Sequence, residues 1–442
     1  MNLKEKILTL PFFDVICEVE KEADAKIYFV GGTVRDLLLN RNISDLDLVV
    51  FEKDYTFVAD MLSNKLKATK VLFKDNVRLV KNSFIIDISK PRGLNIFEDL
   101  KERDFTINNL ATDLQGNLIG DIADLNNGVI RAVCEKSFID DSLRIIRAFR
   151  FLSELDFKIS EETIALIEKH KKNLNNVATE RIYQELKKTV FGTYFLNSLK
   201  YLEELEIFDI IIPELVNLKD LPKGPYHNLD PYRHTFCTVK HTYLEAIKRG
   251  FSGENLFILT ITALLHDIGK GLGEYRDKNG KYIGHEEKGA KLAGKILKKL
   301  NFSNFEIHQI VTLIKKHTSI RIYAVNKAKE RTLKKFIFDY YKFLPMLYVI
   351  TIGDNACKPA NLNLNIIKNI ISKIEELERK MDFSKISLIT GEDLIHLNFT
   401  PSFKFREILK DVHFKLVIGE LSNKDQALNY IIKNYKGKGG NL

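Results

Sequence analysis

The stretch that decides the fold is Ile27-Tyr28-Phe29-Val30-Gly31-Gly32-Thr33-Val34-Arg35-Asp36, with Asp45-Leu46-Asp47-Leu48-Val49-Val50 after it; twelve residues separate Gly32 from Asp45. Residues 27–30 read as a short buried strand, 34–39 as the helix that follows, and 45–50 as a second strand. Phe84 to Ile88 alternates like a third. Strand, helix, strand and strand in this order indicate an α/β or α+β unit. Glycines between a strand and a helix let backbone approach a phosphate, and the helix N-terminus adds free N–H donors. A tight packing turn uses the same glycines. Asp45 and Asp47, two apart on a strand, project to one face. Two carboxylates beside such a turn can hold Mg²⁺, which takes a few carboxylates, water and substrate phosphate oxygens. Asp87 is either a third carboxylate for that cation or a solvent-facing strand residue.

Outward from this unit the pattern changes. Beyond Asp140 strand signals almost vanish, and residues 143–151, 163–170, 180–190 and 243–249 show helical spacing. The chain of 442 residues is long enough for about two to four domains. At 45% hydrophobic and 29% charged residues it is globular in composition. No apolar run is expected to reach membrane-spanning length, residues 257–265 being the longest candidate. Lys4 and Lys6 precede an apolar run over 7–13, but Asp14 and Glu18 end it without a small-residue cleavage site, which argues against a secretory signal. Cys17, Cys134, Cys237 and Cys357 are far apart with no C-x-x-C pair, as in a reducing cytoplasm, and exclude a cysteine zinc finger. The net charge of +9 suits a nucleic-acid partner and equally a surface of solvated lysines.

Two further constellations carry chemistry. Asp141 and Arg144 stand three apart at an expected helix start. Such a pair can form a local salt bridge, or it can accept from an exocyclic amine and donate to the adjacent ring acceptor of cytosine or adenine. G and U present a carbonyl where that amine would be. Thr179 reads as the N-cap of the next helix, with Glu180 near its start. Seven of the ten histidines lie between His227 and His317. Among them His234, His266-Asp267, His285 and His317, closed by Asp354, form an ordered set of nitrogen and oxygen donors suited to a divalent transition metal. His227, His241 and His308 have no clear place in that order and read as core or surface residues.

The glycine pair with Val34-Arg35-Asp36 and Asp45-x-Asp47 resembles the nucleotidyltransferase head of bacterial-type CCA-adding enzymes and poly(A) polymerases. Arg103-Asp104-Phe105-Thr106-Ile107-Asn108 resembles their next motif, with Glu102 where an arginine usually stands and Lys101 adjacent. Asp140-Asp141-x-x-Arg144 is similar to their base-reading motif, with Asp140 in place of glutamate, and Arg147 and Arg150 continue its basic face. The histidine set resembles an HD phosphohydrolase domain, which many members carry after the head. Residues 390–419 resemble the helical tail of those members.

The resemblance implies an α+β architecture: a head with a small mixed β-sheet at 1–125, then an all-α neck at 126–222, an HD domain at 223–357 and a tail at 358–442. It implies a cytoplasmic tRNA nucleotidyltransferase using CTP, ATP and Mg²⁺. Asp45 and Asp47 would be catalytic. Gly31, Gly32, Arg35, Arg103, Asp104, Asn108, Asp141, Arg144 and Arg147 would bind nucleotide. His234, His266, Asp267 and Asp354 would hold one HD metal, or two together with His285 and His317. An enzyme adding only A, only CC, or poly(A) fits the same motifs, the discriminator lying in a loop between the aspartate pair and Arg103 and in the neck; Arg92-Gly93 belongs either to that loop or to a plain turn. A metal-dependent phosphohydrolase with a nucleotide-binding head is the rival from another class.

Overall fold

The computed structural model describes residues 2–223, 228–273, 277–278, 280–358 and 364–436. Gly224, Pro225 and His227 lie outside them. The chain divides into two compact units, residues 1–211 and 212–442.

The first unit is built on a seven-stranded mixed sheet. Its strands are β1 (Lys26–Val30), β2 (Asp45–Phe51), β3 (Thr69–Leu72), β4 (Asn76–Lys81), β5 (Phe84–Ser89), β6 (Ala111–Asp113) and β7 (Leu118–Ile119), in the order β3-β4-β5-β2-β1-β6-β7. Only β2 and β5 run parallel. Ile27, Phe29, Leu46 and Leu48 are buried between them and the covering helices, the alternation that a half-buried strand requires. Helix α1 (Gly32–Leu38) follows the glycine turn directly. Four strands that sequence alone did not suggest, β3 and β4 at one edge and β6 and β7 at the other, extend the sheet outward; all four β3 residues are exposed, so no burial period marks it.

Past the sheet, α2 (Arg144–Leu155) packs against α3 (Thr179–Phe191). Two expectations are corrected here. Helix α2 begins at Arg144, and Asp141 precedes it in extended conformation, so the two do not share a helix. Thr179 is the first helical residue of α3, whose N-cap is Ala178 without a side-chain bond.

The second unit is helical among its described residues. Its elements include α4 (Pro231–Lys248), α5 (Gly253–Leu265), α6 (His285–Lys299), α7 (Asn304–Lys316) and α8 (Leu344–Ala356). Helix α4 starts well before the residue 243 at which its periodicity becomes visible. Asp230 caps it and Pro231 occupies the first turn, while its inner face carries the buried polar residues His234, Thr235, Thr238 and Thr242. Helix α4 packs on α5 and α8, and α6 on α7. A smaller cluster of Leu394, Val412, Leu416 and Ile431 forms a separate core near the end of the chain.

The expectation about apolar length is also corrected. The helical stretch Glu330–Ala356 contains an 18-residue window of mean hydropathy 1.2, of which 67% is buried within the protein. Leu347, Val349 and Ile350 in it have no exposed surface, as in the core helix of a globular domain.

Candidate active site and metal centre

In the first unit a cavity of about 1000 Å³ opens over the start of β2 and the N-terminus of α1. Asp45 and Asp47 line it, flanking the fully buried Leu46. Thr33, at the start of α1, fixes their strand by accepting the Asp47 backbone N–H at 2.7 Å. Gly31 has φ +57°, which favours glycine, and a Cβ there would stand 3.0 Å from Arg103 Nη1. A Cβ on Gly32 would stand 3.1 Å from Asp47 Oδ2. The glycines therefore admit the guanidinium and the carboxylate to one point. Burial, then the neighbouring Asp45 and Asp87, push the Asp47 carboxyl up to about 6 against the pull of Arg103 and Arg35. A cation between Asp45 and Asp47 would relieve that repulsion.

Asp87 stands opposite Asp47 in the parallel register and lines the same cavity. Its carboxylate is held by Arg78 Nε and Nη2, both at 2.8 Å, and by Asn76 at 3.2 Å. It is thus neither an open third ligand nor a solvent-facing residue, but the acid of a bidentate ion pair.

The arginines of the wall are ordered by a buried network. Arg35 donates to both Asp36 oxygens at 2.9 and 2.8 Å and to Asn108 Oδ1 at 2.8 Å. Asn108 in turn donates to Asp104 Oδ1 at 3.1 Å. Asp104 accepts from Arg147 Nε at 2.8 Å and pairs with its Nη2 at 2.6 Å. Burial alone would raise the Asp104 carboxyl, but Arg147 and the bond from Asn108 hold it well below the usual range. Arg103 is aimed by Asp99, which accepts from its Nε and Nη2 at 3.1 and 2.8 Å. Arg35, Arg147 and Arg150 gather around the Phe151 ring at 5.2, 5.3 and 4.7 Å, a cation–π hub that the sequence did not single out. Arg92 also lines the cavity and donates to the Glu102 carbonyl at 3.1 Å.

Asp141 and Arg144 both face this cavity, joined by the backbone bond from Arg144 N–H to the Asp141 carbonyl at 3.1 Å and not through their side chains. Arg181 of α3 donates to Asp141 Oδ2 at 2.7 Å. Arg144 donates to the carbonyls of Glu102 at 3.0 Å and Arg103 at 3.3 Å. The local salt bridge is therefore absent, and each residue is instead tied to a distant segment.

The second unit brings together all six predicted metal ligands. His234 Nε2 lies 2.9 Å from Asp354 Oδ1, His266 Nε2 lies 3.2 Å from Asp267 Oδ2, and His285 Nε2 lies 3.2 Å from Asp267 Oδ1. His317 Nε2 stands 3.8 Å from Asp267 Oδ1. His266, His285 and His317 direct Nδ1 at the carbonyls of Ala263, Tyr282 and Ile314, at 2.7, 2.9 and 2.7 Å. Nδ1–H donation there leaves the Nε2 lone pairs for the cluster, as metal-ligating histidines require. His266 Nε2 is buried and makes no well-formed hydrogen bond. The donor set thus fits a divalent cation. His234, His266 and Asp354 form one triad that could hold a metal ion; His266, Asp267 and His317 form another. Two buried lysines complete the centre, Lys270 on Asp267 and Lys358 on Asp354, each at 2.5 Å. Lys358 was missed in the sequence, where it looks like any residue of a lysine-rich tail. Gly269 is required by packing, since a Cβ there would lie 2.2 Å from the His285 carbonyl oxygen.

The expectation of isolated cysteines is corrected too. Cys237 and Cys357, 120 residues apart in sequence, are joined in a disulfide with a Cα separation of 5.9 Å.

Residues 27–92 match the poly(A) polymerase head domain, 156–218 the probable RNA- and SrmB-binding site of polymerase A, and 232–341 the HD domain. The chain is 31% identical over 307 residues to the multifunctional CCA protein of Actinobacillus pleuropneumoniae serotype 5b, covering 63% of this chain and 72% of that protein. It is 32% identical over 230 residues to the CCA-adding enzyme of Streptococcus uberis, covering 48% of this chain and 57% of that enzyme. Its fold is similar to that of the Thermotoga maritima CCA-adding enzyme complexed with tRNA, with TM-score 0.64 and 22% identity over 98% of both chains. The chain belongs to the family of CCA-adding enzymes and multifunctional CCA proteins.

Proposed function

We propose that the protein is a template-independent nucleotidyltransferase that builds CCA on tRNA 3′ ends from CTP and ATP, releasing pyrophosphate. The observation that carries this reading is the convergence of Asp45, Asp47 and Arg103 on the Gly31–Gly32 turn, at the floor of an arginine-walled cavity. Asp45 and Asp47 would hold Mg²⁺, which when bound polarises the attacking 3′-hydroxyl and neutralises the departing pyrophosphate. Gly31 and Gly32 keep that wall free of side chains, so backbone N–H groups and Arg103 can meet the triphosphate. Arg35 acts through Asn108, and Asp104 with Arg147 holds the sugar-facing segment in place. Asp141, oriented by Arg181, accepts from the exocyclic amine of C or A. Arg144 has five donors and engages two carbonyls, which leaves it able to donate to a ring acceptor. The nucleotide's own amine, and no template, selects it.

In this reading residues 1–125 form the head, 126–222 the neck, 223–357 the HD domain and 358–442 the tail, and the enzyme works in the cytoplasm. A second activity, metal-dependent phosphoester hydrolysis in the HD domain, is favoured by the buried His266 Nε2 aimed into a six-ligand cluster. There the six side chains would hold one or two transition-metal ions that supply a nucleophilic water.

The test is an extension assay on three tRNA transcripts, ending at the discriminator base, at CC and at CCA, with labelled CTP or ATP. CC then A, stopping there, is the expected result. A on the CC-ending transcript alone, or CC alone, would make it a partial enzyme; long A tails would make it a poly(A) polymerase. No incorporation by folded protein would overturn the reading in favour of the phosphohydrolase.

A further inference from the structure

Among the described residues, one cluster of metal-ligating side chains lies outside both sites. Cys237 and His241 stand four apart on α4, so they share one helix face. Cys357 caps the C-terminus of the neighbouring α8. One sulfur from each cysteine and one ring nitrogen of His241 lie within 4.8 Å of one another. Cys237 and His241 are half-buried and Cys357 is buried, so the group is rooted in the helix packing and still reachable from solvent. Burial, together with Lys240, lowers the His241 imidazole below its ordinary value, which keeps its lone pair available at neutral pH. In the oxidised state shown here the two sulfurs bond each other. The HD ligands His234 and Asp354 sit three residues earlier on the same two helices, but that centre contains no thiol.

We propose that, in the reduced protein, Cys237, His241 and Cys357 form a binding site for a thiophilic divalent cation of the zinc class. A thiol reductant supplies two electrons and two protons, the S–S bond breaks, and the reductant leaves as its own disulfide. The cation then displaces the two thiol protons and is held by two thiolates and one imidazole. Water takes the fourth position on the solvent side, as in three-ligand zinc sites. Disulfide and bound metal are mutually exclusive states of one cluster, so the redox state of the pair decides whether the site exists.

The test uses the full-length protein and Co²⁺ as the probe. The protein is prepared oxidised, or reduced with a phosphine that does not bind the metal. Reduced protein should bind one more equivalent than oxidised protein and show a thiolate-to-cobalt charge-transfer band in the near ultraviolet. The HD cluster cannot produce that band. Cys237→Ser should abolish it, His241→Ala should weaken Co²⁺ binding at this site by roughly tenfold or more, and His266→Ala should leave it intact. Circular dichroism checks that each variant is folded. A reduced wild type with no charge-transfer band, equal stoichiometry in both redox states, or a band that survives Cys237→Ser would each overturn the proposal.

Discussion

At Asp47 the local electrostatics lead to a measurable consequence. Its carboxyl is raised to about 6 by burial and by two other carboxylates. A carboxyl whose folded value is raised favours the fold when protonated. That contribution is lost as pH climbs from about 4 to about 6. A cation between Asp45 and Asp47 works in the opposite sense, because a proton on Asp47 competes with it. The Mg²⁺ concentration giving half-maximal incorporation should therefore be nearly constant above about pH 7 and rise roughly tenfold per pH unit below about 6. Titrating Mg²⁺ in the extension assay across that range checks it, and a flat profile would show that Asp47 does not carry the metal. Much of this site is legible in the sequence, because Gly-Gly, Asp-x-Asp and the segment 103–108 are close in the chain and ordered. The fate of Asp87 is not legible. Its partner Arg78 is nine residues away on a strand whose neighbour β3 has no buried face, so nothing in the pattern announced the pairing.

Between elements, single contacts join segments that the chain keeps apart. Asp141 lies in extended backbone just ahead of α2, and its carboxylate is braced by Arg181 on α3. Arg181→Ala should leave the fold intact, since both groups are partly exposed, and should loosen the discrimination of CTP and ATP against UTP and GTP. A well-oriented polar pair distinguishes bases by about 1–3 kcal/mol, so a loss of about tenfold in the ratio of kcat/KM values is expected. Unchanged discrimination would remove Asp141 from base reading. Around the HD centre the corresponding contact is Gly269, against the backbone of His285 and Gly289. Gly269→Ala forces α6 outward, costs about 1–3 kcal/mol by overpacking, and moves His285 away from Asp267. The expected result is a lower Tm that added divalent metal restores less than in the wild type, measured by thermal denaturation with and without metal. The histidines of this centre could be read from their order. Lys358 stands four residues after Asp354, a spacing that brings them together locally at the end of α8; the Cys237–Cys357 pair could not be read, because only the packing of α4 against α8 makes the two cysteines neighbours.

For the whole molecule the informative fact is that the two ligand sets share no residue and belong to separate compact units. The carboxylates of residues 45 and 47 rest on β2 and are positioned by Thr33, Arg103 and the glycine turn. His266 and His317 rest at the C-terminal ends of helices in the second unit, positioned by carbonyls of those same helices. Neither set needs the other for its geometry, so the two chemistries should separate cleanly by mutation. Asp45→Asn with Asp47→Asn should lower nucleotide incorporation by about three orders of magnitude or more, in line with removing a charge stabiliser at a reacting centre. The same variant should leave metal-dependent phosphoester hydrolysis within about twofold of wild type. His266→Ala should do the reverse, removing the nitrogen common to both metal triads and abolishing hydrolysis while incorporation stays within about twofold. Both activities are measured on the same preparations, with tRNA transcript and labelled CTP for one and a chromogenic phosphodiester for the other. Loss of incorporation in His266→Ala at unchanged Tm would mean that the HD centre serves the transferase reaction itself. Hydrolysis that survives His266→Ala would move the hydrolytic site elsewhere.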